Sequence, residues 1–474
     1  MATSNYQRWL MAVGLLVALG VSIVFYRHAL SYPGCCDVRQ YVGMADFFAA
    51  HGFIANSPHS DTRTFGFPLF LSLLSRTARH VGVSLEGALF LTQLTMYFGC
   101  AAILYRQLSR SYGPSTGTAV FYGLTFNVLL LPYLSIPLTD GFSVILLLGA
   151  AILLIGVSTE HRPRMIVLRA LLLGLVAGYA VVVRPANLWF CALIVIGGLL
   201  VFRKREQSSH RRSTIHAGLG AILFIGVSSL AGVLATTPQS ALNWARAGKV
   251  SPFPIHDLKE LQIDGGLRNI KYATSMVGTP SGIFYKNPLF HEIGEGIKGR
   301  MGVEWYFREP LRGAATIALH LFGGFDFDYL FPYIYDLRPD YRPALFLFSQ
   351  LIVFFGFGGI VLLTFPRVAQ QILGESVAAH FRWEAPITAG QVFVPVLVAW
   401  TAIYGLSSME NRFALPIVTM LMPVAVAALW VLIRLFRSGG IKQGLWILGG
   451  YLVWIAACLP LIQILEQAKQ LPPL

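Results

Sequence analysis

Long apolar runs alternate with short polar ones along most of the chain, and their length decides what they are. Runs fall at about residues 9–26, 87–106, 117–133, 139–157, 166–183, 187–202, 218–236, 343–364, 389–406, 413–434 and 445–465. Crossing the hydrocarbon layer takes roughly 17–25 predominantly apolar residues, with tilt and flanking aromatics adjusting the fit. The pattern therefore predicts an all-α polytopic membrane protein with about eleven transmembrane helices. With the N-terminus inside, Arg106 and Arg110, Arg162 and Arg164, the Arg203–Arg205 and Arg211–Arg212 clusters, Arg367, Arg382 and the Arg434–Lys442 cluster all become cytoplasmic, as the positive-inside rule requires. The opposite face then carries two large loops. The chain divides into an N-terminal transmembrane module, 1–236, that includes the first outer loop 27–86; a large extracytoplasmic loop region, 237–342; and C-terminal transmembrane helices, 343–474.

Shorter patterns mark helices that lie on the membrane. From Asp37 to Ala50, the apolar positions Val38, Tyr41, Val42, Ala45, Phe48 and Ala49 follow the i, i+3, i+4, i+7 spacing of an amphipathic helix. Asp37 falls in its first turn, where a carboxylate caps backbone N–H groups and meets the positive end of the helix dipole. Pro68 suits the first turn of a second short helix running to about Arg79. The apolar segment Ala314–Phe325 is short and contains His320; counting it as a crossing would put Arg367, Arg382 and the Arg434–Lys442 cluster on the wrong side, so it is read as lying in the outer interface.

Composition agrees. The 474 residues are 55% hydrophobic and 12% charged, with a mean hydropathy of +0.63, too apolar for an ordinary soluble domain. The formal net charge of +14 sits at the ends of apolar runs rather than on a soluble module with stacking aromatics, which argues for lipid and topology and against nucleic acid. Five cysteines make no disulfide framework: Cys100, Cys191 and Cys458 lie within apolar runs, and the neighbours Cys35 and Cys36 are read as thiols. The first apolar run is followed by no convincing small-residue cleavage pattern and is read as an uncleaved helix. No Walker, dinucleotide-binding, HExxH or CxxC motif is present.

The chemistry-bearing residues collect in the segments assigned to the outer face. They are Asp37 with Tyr41 four residues on, Arg63 ahead of Phe65-Gly66-Phe67-Pro68-Leu69-Phe70, Asp140 after Pro137-Leu138-Thr139, Val183-Arg184-Pro185, and Glu410-Asn411-Arg412-Phe413. This set resembles the GT-C glycosyltransferases, polytopic enzymes that take a sugar from a polyprenyl-phosphate carrier. In that superfamily an acidic residue in a D-x-x-x-Y setting precedes an R-x-x-G-[YF]-P-L-F stretch in the first outer loop. Glu410 to Phe413 is similar to the E-x-R-F core of the H-K-E-x-R-F motif of the lumenal mannosyltransferases. Ser408 and Met409 stand in place of its His and Lys, so mannose is not implied. The resemblance covers roughly residues 9–200 and 390–435.

What the resemblance implies is an enzyme of the bacterial inner membrane. It would move a monosaccharide from a polyprenyl-phosphate-linked donor to an extracytoplasmic glycan, lipid or protein acceptor, with inversion; no cofactor and no metal site is assigned. Asp37 would be the general base. Arg63, Arg184, Glu410, Arg412, Tyr41, Asp140 and His320 would surround the donor phosphate and substrate, with Arg308 and Arg312 as further cations. Seven of them have a structural alternative: a helix cap for Asp37 and Asp140, head-group snorkelling for Arg184, an ion pair for Glu410 and Arg412, packing for Tyr41 and His320. Asp326 and Asp328 have a spacing that suits a divalent cation, but two carboxylates make a thin site. Acceptor choice is expected from the 237–342 region, where Trp244, Lys271, Tyr272, Tyr285, Lys286, Trp305 and Tyr306 would line a cleft. A transporter or flippase of lipid-linked sugars is the alternative from another class, although charges placed at one face and the lack of a repeat speak against it; a lipid-linked polysaccharide polymerase or ligase is another.

Overall fold

In a computed structural model the described residues are 5–29, 36–53, 57–208, 214–256, 258–273, 283–290, 302–327, 329–330, 342–373, 389–407 and 409–470. Cys35, Asp328, Arg382 and Ser408 fall outside them, as does the side chain of Cys36. The chain is helical almost throughout and forms two compact units, residues 1–256 with 382–396, and residues 257–381 with 397–474.

The first unit begins with α1 (Asn5–Ala29), then α2 (Cys36–His51), α3 (Gly66–Val81), α4 (Leu85–Tyr112) and α5 (Pro114–Thr125). Next come α6 (Thr139–Thr159), α7 (Pro163–Val183), α8 (Cys191–Ser208) and α9 (Thr214–Ala247). The amphipathic reading of α2 holds by side chain: Val38, Tyr41, Met44, Ala45 and Phe48 are buried, while Asp46 is exposed. The run 117–133 differs from expectation. It stops as an α-helix at Thr125 and resumes as a 3-10 turn over Leu131–Ser135 that contains Pro132, which has no N–H to continue an α-helix. Two carbonyls at the break accept from α4: Tyr97 Oη donates to Leu124 O (2.7 Å), which also takes the Asn127 N–H (3.2 Å), and Gln93 Nε2 donates to Leu134 O (3.3 Å).

The second unit contains α10 (Leu258–Arg268), α11 (Gly302–Arg308), α12 (Pro310–Phe325), α13 (Arg342–Thr364) and α14 (Pro366–Leu373). The helix α15 (Ala389–Tyr404) contributes its second half, followed by α16 (Asn411–Arg437) and α17 (Ile441–Ala468). A small antiparallel sheet, which hydrophobic periodicity did not reveal, joins β1 (Asn269–Ala273), β2 (Ile283–Lys286) and β3 (Lys469–Gln470) in that order. Lys271 faces Tyr285, and Tyr285 faces Lys469. These strands are too short for alternation to stand out, and β3 completes the sheet from the far end of the sequence.

Among the described residues, eight helices are long and apolar enough to cross a membrane: α4, α6, α7, α8, α9, α13, α16 and α17. The apolar part of α1 (Met11–Arg27), the 12-residue α5 and the 16-residue α15 are shorter. Of the eleven predicted spans, eight thus meet this length among the described residues, and the other three do not reach it. The helix α12, at 16 residues, is likewise not among the eight.

Candidate functional site

The segment between α1 and α4 is seated on its unit at Gly66 and closed on itself by an ion pair. Gly66 opens α3 against the end of α7, where a Cβ would lie 2.5 Å from Val182 O and 2.7 Å from Val183 N. Only glycine permits that approach, and Tyr179 Oη donates to Gly66 O (2.9 Å). This fixes the chain that carries Arg63. The Arg63 guanidinium pairs with the Asp37 carboxylate, its Nε donates to Gln40 Oε1 (2.8 Å), and its plane sits 5.3 Å from the centre of the Tyr41 ring. Asp37 is in the first turn of α2, so the helix dipole also favours its charge. Tyr41 is buried and meets Phe67 edge-on at 5.4 Å. The D-x-x-x-Y and R-x-x-G-F-P residues therefore form one cluster.

A second pair lies in the same unit. Asp140, 2% exposed in the first turn of α6, is paired with Arg184 at the end of α7. Beside it, the buried Asn187 amide donates to Ser143 Oγ (2.9 Å) and Ala180 O (3.1 Å). Phe142 connects the two clusters, stacking on Phe70 at 4.4 Å and touching Phe67 at 5.9 Å. The aromatics of the FGFPLF stretch thus separate two carboxylate–guanidinium pairs.

In the second unit Glu410 and Arg412 form a two-point contact, Nε to Oε2 at 2.6 Å and Nη2 to Oε1 at 3.1 Å, and both side chains are buried. Asn411 between them points its amide at the carbonyls of Gly323, Gly324 and Asp326. Met409 bonds to β1 on both sides, its N–H to Ile270 O and its carbonyl from Tyr272 N–H. The turn before α16 is therefore held as part of the unit's core.

His320 is fully buried, with Nδ1 2.7 Å from Gly405 O and Nε2 2.9 Å from Gly266 O. Both ring nitrogens lie against backbone carbonyls, of which a neutral ring donates to one, so His320 sits in the interior of its unit. Burial pushes its pKa below the ordinary value, and the backbone contacts only partly offset this. Arg308 and Arg312 are exposed and pair with Glu304 (3.3 Å) and Glu309 (3.9 Å) on their own helical segments. Asp326 is buried against Lys271 (3.6 Å), which also donates to the Asp326 carbonyl, so it is tied to a cation of the chain. Among the described residues no group of three or more potential metal ligands occurs. The expected cleft is also revised: Lys271, Tyr285, Trp305 and Tyr306 are buried in the unit's interior, while Trp244 and Lys286 are exposed.

Three residues of importance to the first cluster were missed by the sequence reading. The helix α9 runs 34 residues, about 50 Å at 1.5 Å per residue, well beyond a hydrocarbon layer of about 30 Å. Its last turns carry Gln239, Asn243 and Arg246 at i, i+4 and i+7. Gln239 Oε1 accepts from Phe65 N–H (2.9 Å), Asn243 Nδ2 donates to Ser251 O and Phe253 O (both 2.6 Å), and Arg246 pairs with Asp61 (2.8 Å). The apolar run ends at about 236, but the helix continues through Pro238 to Ala247. The polar spacing of 239, 243 and 246 was the available signal.

No protein-family profile matches the chain, and no curated protein matches it. Two solved structures similar to it are of an oligosaccharyltransferase of Archaeoglobus fulgidus. One is the archaeal oligosaccharyltransferase AglB in complex with an inhibitory peptide and a dolichol-phosphate, with 11% identity and a TM-score of 0.42 over 98% of this chain and 56% of that one. The other is the apo form, with 12% identity and a TM-score of 0.43 over the same shares. The chain spans a little over half the length of the proteins in those structures.

Proposed function

We propose that this integral membrane protein is a glycosyltransferase of the GT-C type, transferring a monosaccharide from a polyprenyl-phosphate-linked donor to an extracytoplasmic acceptor. The observation that carries the reading is the Asp37–Arg63 pair, a carboxylate and a guanidinium brought together by the two motifs of the first outer loop and left partly open to solvent. Inverting transfer needs both groups. The carboxylate takes the proton of the acceptor hydroxyl as its oxygen bonds to the anomeric carbon. The bond from that carbon to the phosphate oxygen breaks on the opposite face and leaves a polyprenyl phosphate monoester, whose gain in negative charge a guanidinium fork matches.

In this reading Asp37 is the base. Arg63 orients it and meets the departing phosphate, and Gln40 and Tyr41 hold Arg63. The Asp140–Arg184 pair supports the same unit from behind the Phe67–Phe142 contact. Glu410 and Arg412 organise the turn before α16. The acceptor belongs to a glycan, a lipid or a protein, and the bacterial inner membrane with an outward-facing site is the proposed location.

The test is transfer from a labelled polyprenyl-phosphate sugar by protein reconstituted in lipid. Asp37→Asn keeps the shape and removes the base, and a loss of roughly 10²- to 10⁴-fold is expected. Full transfer by a folded Asp37→Asn protein would overturn the assignment of the base.

A further inference from the structure

The polar ridge of α9 does more than clamp the loop. A small pocket opens beside the Asp37–Arg63 pair, its wall including Phe48, Ser57, Arg63, Gln239, Asn243 and Arg246. Most polar atoms of this wall are already engaged. Gln239 Oε1 takes the Phe65 N–H, Asn243 Oδ1 takes Gln239 Nε2 (3.0 Å), and the Asn243 amide is spent on two carbonyls. Two donors differ: Ser57 Oγ and Arg246 Nη1 are buried and have no hydrogen-bond partner among the described residues. Ser57 is 4% exposed. A buried donor without an acceptor has lost its hydration with nothing in return, so two in one pocket call for an acceptor beyond the described residues.

We propose that Ser57 and Arg246, with Arg63, form an oxyanion pocket that receives one phosphate oxygen of the polyprenyl-phosphate donor; this rests on the glycosyltransferase reading above. Three observations define the ligand. The two atoms to be satisfied include a guanidinium N–H, which only donates, and a hydroxyl able to donate. A phosphate oxygen carries no hydrogen and can accept from both. The space admits the centre of about one water-sized group (≈ 10 Å³), enough for a single oxygen and too small for a sugar ring. Arg246 already holds Asp61 through Nη2, as Arg63 holds Asp37. The pocket therefore offers fixed donors rather than loose positive charge. Arg246 is a binding residue for the donor, contributed by α9 to a site whose base comes from α2.

The test measures binding of a polyprenyl phosphate without sugar to the full-length protein in nanodiscs, so that it does not depend on catalysis. Arg246→Gln should weaken binding by about tenfold or more, the value of one charge-assisted hydrogen bond. Asp61→Asn breaks the same ion pair but keeps the cation, and should bind within about twofold of the unaltered protein or more tightly. Ser57→Ala, which removes one oxygen and keeps the backbone, should weaken binding measurably and serves if Arg246→Gln fails to fold. Unchanged binding by a folded Arg246→Gln protein would overturn the proposal and leave the pocket to a water. If Arg246→Gln fails to fold, unchanged binding by Ser57→Ala would do the same. Equal losses in Asp61→Asn and Arg246→Gln would assign Arg246 to loop architecture and overturn it as well. Should Asp37→Asn retain transfer while Arg246→Gln loses phosphate binding, the choice of base fails and the pocket stands.

Discussion

Two ion pairs with the same chemistry occupy different surroundings in this protein. The Arg63 and Asp37 side chains are 23% and 22% exposed, whereas those of Lys271 and Asp326 are 0% and 1%. The first pair is built on short helices at a loop and reachable from solvent. The second is enclosed by β1, α12 and the ring of Tyr285, 5.4 Å from the Lys271 ammonium, with Asn411 drawn onto the same Asp326 carbonyl. A charge kept within reach of solvent can meet a ligand; a charge sealed with its partner can only hold the fold. Both pairs are conspicuous in so apolar a sequence, and burial is what separates their roles.

The comparison is broken most forcefully by removing one member of the sealed pair. Lys271→Met leaves the buried Asp326 carboxylate with only the more distant Arg342 guanidinium (3.9 Å) as its cation, and removing one partner of a buried pair costs up to about 3–5 kcal/mol; a large drop in thermal stability and in recovered folded protein is expected. Asp37→Asn, by contrast, should leave the melting temperature nearly unchanged while transfer is lost. Similar stability losses in the two variants would erase the distinction.

Gly66→Ala should fall next. Its Cβ meets backbone at 2.5 Å on α7, which cannot yield as a side chain would, and overpacking of this kind costs about 1–3 kcal/mol. Because Gly66 seats the segment carrying Arg63, transfer should fall by more than the stability loss explains, measurable as activity per folded molecule.

A smaller, pH-dependent effect belongs to His320. Its folded pKa is lowered by burial from an ordinary 6.5, so below about that pH the unfolded chain takes up a proton that the folded ring resists. The stability it contributes is complete above 6.5 and is lost as pH falls further through the folded value. Melting temperatures recorded from pH 8 to pH 5 should therefore decline more steeply for the unaltered protein than for His320→Gln. The smallest effect is expected at the exposed Arg308–Glu304 pair, where Arg308→Gln should change stability by less than about 0.5 kcal/mol.

Much of this architecture was legible in the sequence because lipid makes strict demands. Apolar length gave the long helices, the i, i+3, i+4, i+7 pattern gave the buried face of α2, and two motifs singled out Asp37 and Arg63, whose pairing across 26 residues only the fold shows. What escaped was long-range or local in a different way. Pro132 and the polar side chains of α4 break the 117–133 run, and no apolar count registers that. The polar ridge on α9 was hidden because a span was ended at the hydrocarbon boundary while the helix continues. His320 and Lys271 looked like site residues on residue type alone, and only three-dimensional packing shows that both are enclosed and their polar atoms engaged.

The most direct measurement is an experimental structure of the protein in lipid with a polyprenyl phosphate bound. The account predicts phosphate oxygens within hydrogen-bond distance of Arg63 and Arg246, beside the Asp37 carboxylate at the first turn of α2. A phosphate seated on the cytoplasmic side, or held away from the first outer loop, would contradict it.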